Sequence, residues 1–85
     1  MPDIRKLFEG AAAAAKNLKK RPSDDDLLIL YALYEQATRG DVQRERPESL
    51  DLVDAARFDA REKLRGMSTA EAMHKYIAKV NVLKG

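Results

Sequence analysis

An all-α domain of four helices is what this chain predicts, and three observations predict it. With 85 residues it is too short to divide, and a core of that size is marginal by area, so helices with local contacts are the economical solution. Its apolar residues recur at three- and four-residue spacing in four separate stretches. The edges of those stretches carry helix start and stop chemistry, with Ser or Asp before them and Gly or Pro after.

The first stretch places Ile4, Leu7, Phe8, Ala11, Ala15 and Leu18 on one stripe. The alanine run from Ala11 to Ala15 has high helix propensity and side chains small enough for close approach by a neighbouring helix or a ligand. Lys19-Lys20-Arg21 suit the negative end of a helix dipole, and Pro22 marks the stop. In the second stretch Ser23 is the predicted N-cap, with Asp24, Asp25 and Asp26 at the positive helix end. Leu27, Leu28, Leu30, Tyr31, Tyr34 and Ala37 follow at helical spacing, and Gly40 ends the run. Residues 41–50 are mostly polar and contain Pro47, which predicts a surface connection of about ten residues, longer than most bundle links. A span of that length allows the second and third helices to lie parallel.

The third stretch carries Leu52, Ala55, Ala56, Phe58, Ala60 and Leu64 and ends near Gly66; either Asp51 or Asp54 can cap it. The fourth opens on Ser68-Thr69-Ala70-Glu71, a capping-box pattern, and continues with Met73, Tyr76, Ile77, Val80 and Leu83 as a core stripe. Short turns near Lys20–Ser23 and Gly66–Ser68 make hairpins of helices one with two and three with four.

Composition narrows the function classes. Cysteine is absent, so neither disulfides nor thiolate metal sites staple the fold, which is consistent with a reducing compartment. Sixteen basic against fourteen acidic residues leave a net charge of +2, and the intermixed signs argue against a nucleic-acid binder. No apolar run approaches the ~18 residues of a membrane span, and Met1-Pro2-Asp3 starts no signal peptide. His74 is the sole histidine, lies off the apolar stripe, and has no partners for a metal site. No nucleophile–base pair and no Gly-rich phosphate loop is present. Asp24-Asp25-Asp26 reads as a helix start rather than a cation site. The expectation is a soluble, cytoplasmic protein without catalytic residues, metal or cofactor.

The segment with most chemical content is Tyr31-Ala32-Leu33-Tyr34-Glu35-Gln36-Ala37-Thr38-Arg39-Gly40-Asp41. Tyrosines at i and i+3 give a helix one aromatic edge bearing two hydroxyls, able to lie on an apolar ligand body and reach a phosphate or carbonyl. On spacing alone, Tyr31, Tyr34 and Tyr76 read by default as packing residues at the edge of a core. The segment closely resembles the Tyr-x-x-Tyr-x-Gln-Ala-Thr-x-Gly-Asp signature of the acyl-CoA-binding protein family. The likeness extends over nearly the whole chain, from Ile4 to Lys84. It includes Phe8, Ala11, Ala12 and Lys16, Pro22 with the acidic cluster after it, Arg46-Pro47 and Leu50-Asp51-Leu52. Phe58-Asp59-Ala60 stands where the family has Trp-Asp-Ala-Trp, followed by Lys63-Leu64-x-Gly66 and Ala72-Met73-x-x-Tyr76 with Val80.

The resemblance implies a single acyl-CoA-binding domain over residues 1–85, folded as a four-helix bundle of up-down-down-up order with a long crossover between helices two and three. It implies a monomeric carrier, not an enzyme, that reversibly binds, sequesters and transports medium- to long-chain fatty acyl-CoA. Transient contact with acyl-CoA-using enzymes is expected, and stable membrane insertion is not. Carried over residue by residue, Tyr31 and Tyr34 fall near the acyl-CoA and its 3′-phosphate, and Arg57 matches a lysine that grips that phosphate. Tyr76 falls beside the adenine and Lys16 near the phosphates, Ala12 and Leu28 line the acyl groove, and Ala32 lies in the helix-two contact segment.

The departures sit at the same site. Glu35 stands where the signature has a phosphate-binding lysine, Val53 and Ala55 replace two lysines, and Arg61 replaces the second tryptophan. A carboxylate facing a phosphate at about 4 Å costs up to ~4 kcal/mol at an effective dielectric near 20. Arg39, four residues on, is placed to pair with Glu35, and Arg57 with Arg61 is spaced for a two-arginine phosphate clamp. The sequence therefore predicts a CoA head held differently and more weakly than in typical relatives. The alternative is an interaction or regulatory module that keeps the fold and has lost CoA affinity.

Overall fold

The computed structural model describes residues 3–46, 48 and 51–85. Its helices are α1 (Ile4–Ala15), α2 (Asp24–Arg39), α3 (Leu52–Glu62) and α4 (Thr69–Lys84). Each begins on a side-chain oxygen that accepts an otherwise unpaired backbone N–H: Asp3 from Arg5 (3.0 Å), Ser23 from Asp26 (3.1 Å), Asp51 from Asp54 (2.8 Å) and Ser68 from Glu71 (3.0 Å). Of the two candidate caps of α3, Asp51 is the one used. α2 ends at Gly40, whose φ of 76° lies in the left-handed region that glycine enters without Cβ strain. Met1, Pro2, Pro47, Ser49 and Leu50, and with them the expected Pro47 break and Leu50 entry to α3, lie outside the described residues.

Three expectations are corrected. α1 stops at Ala15, well before Pro22. The N–H groups of Lys16 and Asn17 turn back to the carbonyls of Ala13 and Ala14, and the Asn17 amide donates to Ala13 O at 3.3 Å. This tightened turn closes the helix, so Leu18 and the Lys19-Lys20-Arg21 run belong to the connection and not to the helix end. Leu7 and Leu52, assigned to apolar stripes, are exposed, Leu52 to 90%. And the polar connection after Gly40 is not wholly a surface strand of chain, because Val42 is buried.

Phe8, Leu30, Leu33, Ala37, Ala72, Tyr76 and Val80 form one core, with alanines of α1 and Leu64, Met67, Met73, Ile77 and Leu83 packed around it. α4 packs against both α1 and α2, whereas α3 packs against α2 alone. Contacts fix the helix directions. Asp26 at the start of α2 meets Lys79 near the end of α4 (2.6 Å), and Gln36 near the end of α2 meets Met67 just before α4 (2.8 Å), so α2 and α4 are antiparallel. Tyr31 faces Arg57 and Gly40 faces Arg61, so α2 and α3 run parallel, as the long crossover permits. The order is up-down-down-up. Among the described residues no helix is long and apolar enough to cross a membrane.

A polar clasp locks the end of α2 to the turn before α4. Gln36, fully buried, donates to Asp41 Oδ1 (2.7 Å) and to the Met67 carbonyl (2.8 Å); Asp41 Oδ1 also accepts from the Gly66 N–H (2.8 Å). These bonds hold the Asp41 carboxyl below the usual carboxylate range, the Gly66 N–H contributing most and the Gln36 amide next. The Gln36, Gly40 and Asp41 of the signature therefore have a structural use.

Candidate functional site

Because α3 leans only on α2, the seam between them is open on both flanks. On one side a groove of about 390 Å³ runs over Leu27, Leu28, Leu52, Val53 and Ala56, with Tyr31 and Arg57 at its far end. Arg21 and Asp24, ion-paired at 3.3 Å, sit at the other end. Val53, exposed to 57%, and Leu52 form an apolar lip left uncovered by the described residues. On the other side a groove of about 700 Å³ is lined by Ile29, Ala32, Leu33, Ala60, Leu64 and Met67. Leu28 and Ala56 line both grooves and form their shared wall.

At the Tyr31 end the surface changes from apolar to basic. The Arg57 guanidinium carbon lies 5.1 Å from the Tyr31 ring centroid, a cation–π contact that orients the side chain. Tyr31 and Arg57 also border a smaller cavity of about 80 Å³, shared with Arg44, Arg61 and Asp54. Arg61 is half-buried, donates to the Gly40 carbonyl at 3.1 Å, and leaves its Nε buried without a hydrogen-bond partner among the described residues. An apolar groove thus meets an arginine-lined cavity at one tyrosine–arginine pair.

The other predicted residues lie elsewhere. Tyr34 and Tyr76 join Phe8 in an aromatic cluster where α1, α2 and α4 converge, with centroid separations of 5.4, 5.1 and 6.0 Å. Tyr76 is buried, and burial, then the neighbouring Tyr34, pushes its phenol above the ordinary value. Tyr34 stays exposed on the same helix as Tyr31, three residues on. Ala32 lines the second groove, not the one bordered by Tyr31. Ala12 packs against the core from α1, and Lys16, the exposed C-cap of α1, lines neither groove. The structure therefore gathers Leu28, Tyr31, Val53 and Arg57 around one groove, sets Arg61 beside them, and leaves exposed Tyr34 and buried Tyr76 in the aromatic cluster with Phe8, lining neither groove.

Glu35 is only 17% exposed and lies 3.2 Å from Arg39 Nε, an ion pair without the alignment of a hydrogen bond. Two residues at the site escaped the reading of the sequence. Val42 is the one apolar residue early in a polar connection, and its burial seats that connection against α3, beside the cavity. Arg44 follows it and lies 5.6 Å over the Phe58 ring. An isolated valine in a polar stretch was the available signal. No group of three or more His, Cys, Asp or Glu side chains is placed to hold a metal ion among the described residues.

Comparison with known proteins places this architecture. The family model described as Acyl CoA binding protein matches residues 5–80. An acyl-CoA-binding protein homolog of Manduca sexta is 48% identical over 81 residues, covering 94% of this chain and 90% of the relative. The acyl-CoA-binding protein of Saccharomyces cerevisiae is 44% identical over 80 residues, covering 94% and 92%. The crystal structure of Oryza sativa acyl-CoA-binding protein 2 superposes with a TM-score of 0.88 at 42% identity, covering 95% of this chain and 90% of that one.

Proposed function

This chain belongs to the acyl-CoA-binding protein family, and from that premise we propose that it is a carrier of fatty acyl-CoA thioesters. It binds them reversibly as a monomer in the cytoplasm, sequesters a detergent-like ligand from membranes and water, and releases it to enzymes that consume it. The observation that supports this is the junction at Tyr31 and Arg57, where the apolar α2–α3 groove runs into the arginine-lined cavity. An amphiphile with a hydrocarbon tail and a polyanionic head matches that change of surface.

Magnitudes favour the tail as the main source of affinity. Burying a sixteen-carbon chain gives on the order of 12 kcal/mol gross at ~0.8 kcal/mol per methylene. Ordering and association take back much of this. A single charge-assisted hydrogen bond contributes only about 1.5–3 kcal/mol. Glu35 in place of a lysine therefore weakens the grip on the head without abolishing binding. In the proposed pose the nucleotide spreads from Arg57 over the exposed Tyr34 edge toward Tyr76, Ala12 and Lys16, and no covalent step is involved.

Isothermal titration with palmitoyl-CoA tests the reading. Saturable, one-to-one heat is expected, and native mass spectrometry of the purified protein should reveal co-purified acyl-CoA. A flat trace at micromolar protein overturns the carrier reading and leaves an interaction module on the same fold.

A further inference from the structure

The groove of about 700 Å³ on the second flank of the α2–α3 seam has no part in the proposed carriage of acyl-CoA. α3 and α4 both pack on α2 and not on each other, so this groove is a slot between them with α2 as its floor. Ala32 and Leu33 are buried at that floor, Ala56 and Ala60 of α3 form one wall, and Lys75 of α4 stands on the other. The turn between α3 and α4 closes one end through Leu64 and Met67, and Asp25, in the first turn of α2, marks the open end.

The shape of the slot suits a helix. Ile29 and Leu33 on α2, and Ala56 and Ala60 on α3, are i, i+4 pairs, the rows that form the ridges of helix packing. The two alanines let another backbone come close. From Asp25 to Leu33 the slot runs about 12 Å at 1.5 Å per residue, a little over two helical turns. Apart from Ile29, 43% exposed, its apolar lining is buried or half-buried, so a flat lipid surface does not reach it.

Charge on the rim gives the slot a direction. Lys63 at the closed end and Asp25 at the open end are in no ion pair among the described residues. The other two charged lining residues are engaged, Asp59 with Arg46 at 3.0 Å and Lys75 with Glu71 at 3.9 Å. One open cation and one open carboxylate do not match a polyanionic head. They match a helix with an acidic first turn and a basic last turn, charges that also suit its own dipole.

We propose that this slot docks an amphipathic helix of a partner protein, running antiparallel to α2. Its acidic first turn meets Lys63, its basic last turn meets Asp25, and apolar anchors at i, i+3 and i+7 fill the space over Ile29, Leu33 and Met67. Leu28 and Ala56 are the wall common to both grooves, so the docked helix lies behind the ligand groove and leaves its mouth open. Docking of this kind requires no ligand in the other groove.

The probe is a fluorescein-labelled, lactam-bridged helical peptide of about fourteen residues, with glutamate in its first turn, leucine at i, i+3 and i+7, and lysine in its last turn. A second peptide has the glutamates and lysines exchanged, and both are titrated against the full chain by anisotropy. The wild type is expected to bind the first with a Kd of tens of micromolar and the second about fivefold more weakly. Lys63→Glu should reverse that preference, and Ile29→Asp should weaken the first peptide about tenfold. Both positions are exposed, and circular dichroism checks that the variants fold. Saturating palmitoyl-CoA should leave the peptide bound. The proposal is overturned if the first peptide does not bind, if both folded variants bind it as the wild type does, or if palmitoyl-CoA displaces it. Amide shifts at Ile29, Ala60 and Leu64 that arise with phosphatidylglycerol vesicles, or on concentrating the protein alone, and not with the peptide, would assign the slot to lipid or to a second copy and overturn it likewise.

Discussion

The two ends of α2 treat their polar and apolar groups in opposite ways. At the C-terminal end the Gln36 amide N–H groups and the Gly66 N–H find acceptors in Asp41 and the Met67 carbonyl, forming a clasp backed by buried Ala37 and Val42, although Gln36 Oε1 is buried with no donor among the described residues. At the N-terminal end Leu27 and Leu28 face an α3 that covers them incompletely, and Leu52 and Val53 stay in water. The clasp spends its interactions on holding the bundle together, whereas the groove leaves apolar surface unburied and therefore available to a ligand. Bundle stability and, on the proposed reading, binding of the hydrocarbon tail are in this way assigned to different halves of one helix, which makes those two separable by mutation.

The largest effect is expected at the clasp. Gln36→Leu removes two donated hydrogen bonds, one to a carboxylate, and should lower the unfolding free energy by about 2–4 kcal/mol. Urea denaturation reads this as a shifted midpoint with little change in slope. Acyl-CoA affinity measured well below the midpoint should stay close to wild type. A tenfold loss of affinity there would show that the two halves are not separate.

The groove should respond in the reverse sense. Ala56→Phe places a ring on the wall shared by both grooves. Displacing two or three methylenes of the tail, at ~0.8 kcal/mol each, costs about 2 kcal/mol or roughly thirtyfold in affinity for palmitoyl-CoA. Stability should move by less than about 1 kcal/mol, because the site is only half-buried. Titration and urea denaturation of one preparation measure both quantities, and an unchanged affinity would place the tail outside this groove.

A smaller effect is expected at Glu35→Lys. The bare repulsion between a carboxylate and a phosphate overstates the cost, because Arg39 lies 3.2 Å from Glu35 and offsets its charge. The substitution should tighten palmitoyl-CoA binding by about fivefold, near 1 kcal/mol. No change on titration would mean that the phosphate does not face position 35.

What the sequence made legible follows the same division. Four helices, their caps at Ser23 and Ser68, the Gly40 stop and the parallel option for α2 and α3 were readable, because spacing and capping are local properties. The early end of α1 was not, since the Asn17 amide and the tightened turn that close it compete with a continuing apolar stripe. Leu52 fitted the stripe of α3 yet is exposed, because among the described helices α3 packs against α2 alone. At the candidate site, the motif pointed to Tyr31 and the wider family resemblance to Arg57, but Arg44 and Val42 come to the cavity through the path of the connection after Gly40, which no local rule specifies. The signature contains Gln36 and Asp41 without showing their use; their positions show a clasp.

The smallest expected effect tests that clasp by pH. The folded Asp41 carboxyl is held below its ordinary value, first by the Gly66 N–H and then by Gln36, so the folded state prefers the ionised form. The sign is that of any depressed acid: its contribution is complete above the unfolded pKa of about 3.9 and is lost as the pH falls through the lower folded value. Asp26, held low chiefly by its hydrogen bond to Lys79, acts in the same window, so acid destabilisation has two sources at opposite ends of α2. Asp41→Asn should flatten the acid limb of stability against pH, and Asp26→Asn should remove a different share of it, the double variant losing the sum because the sites are far apart. Urea midpoints between pH 2 and 6 measure this. An acid limb in Asp41→Asn as steep as in the wild type would mean that the clasp holds through the Gln36–Met67 bond alone and that the Asp41 charge is not needed to close it.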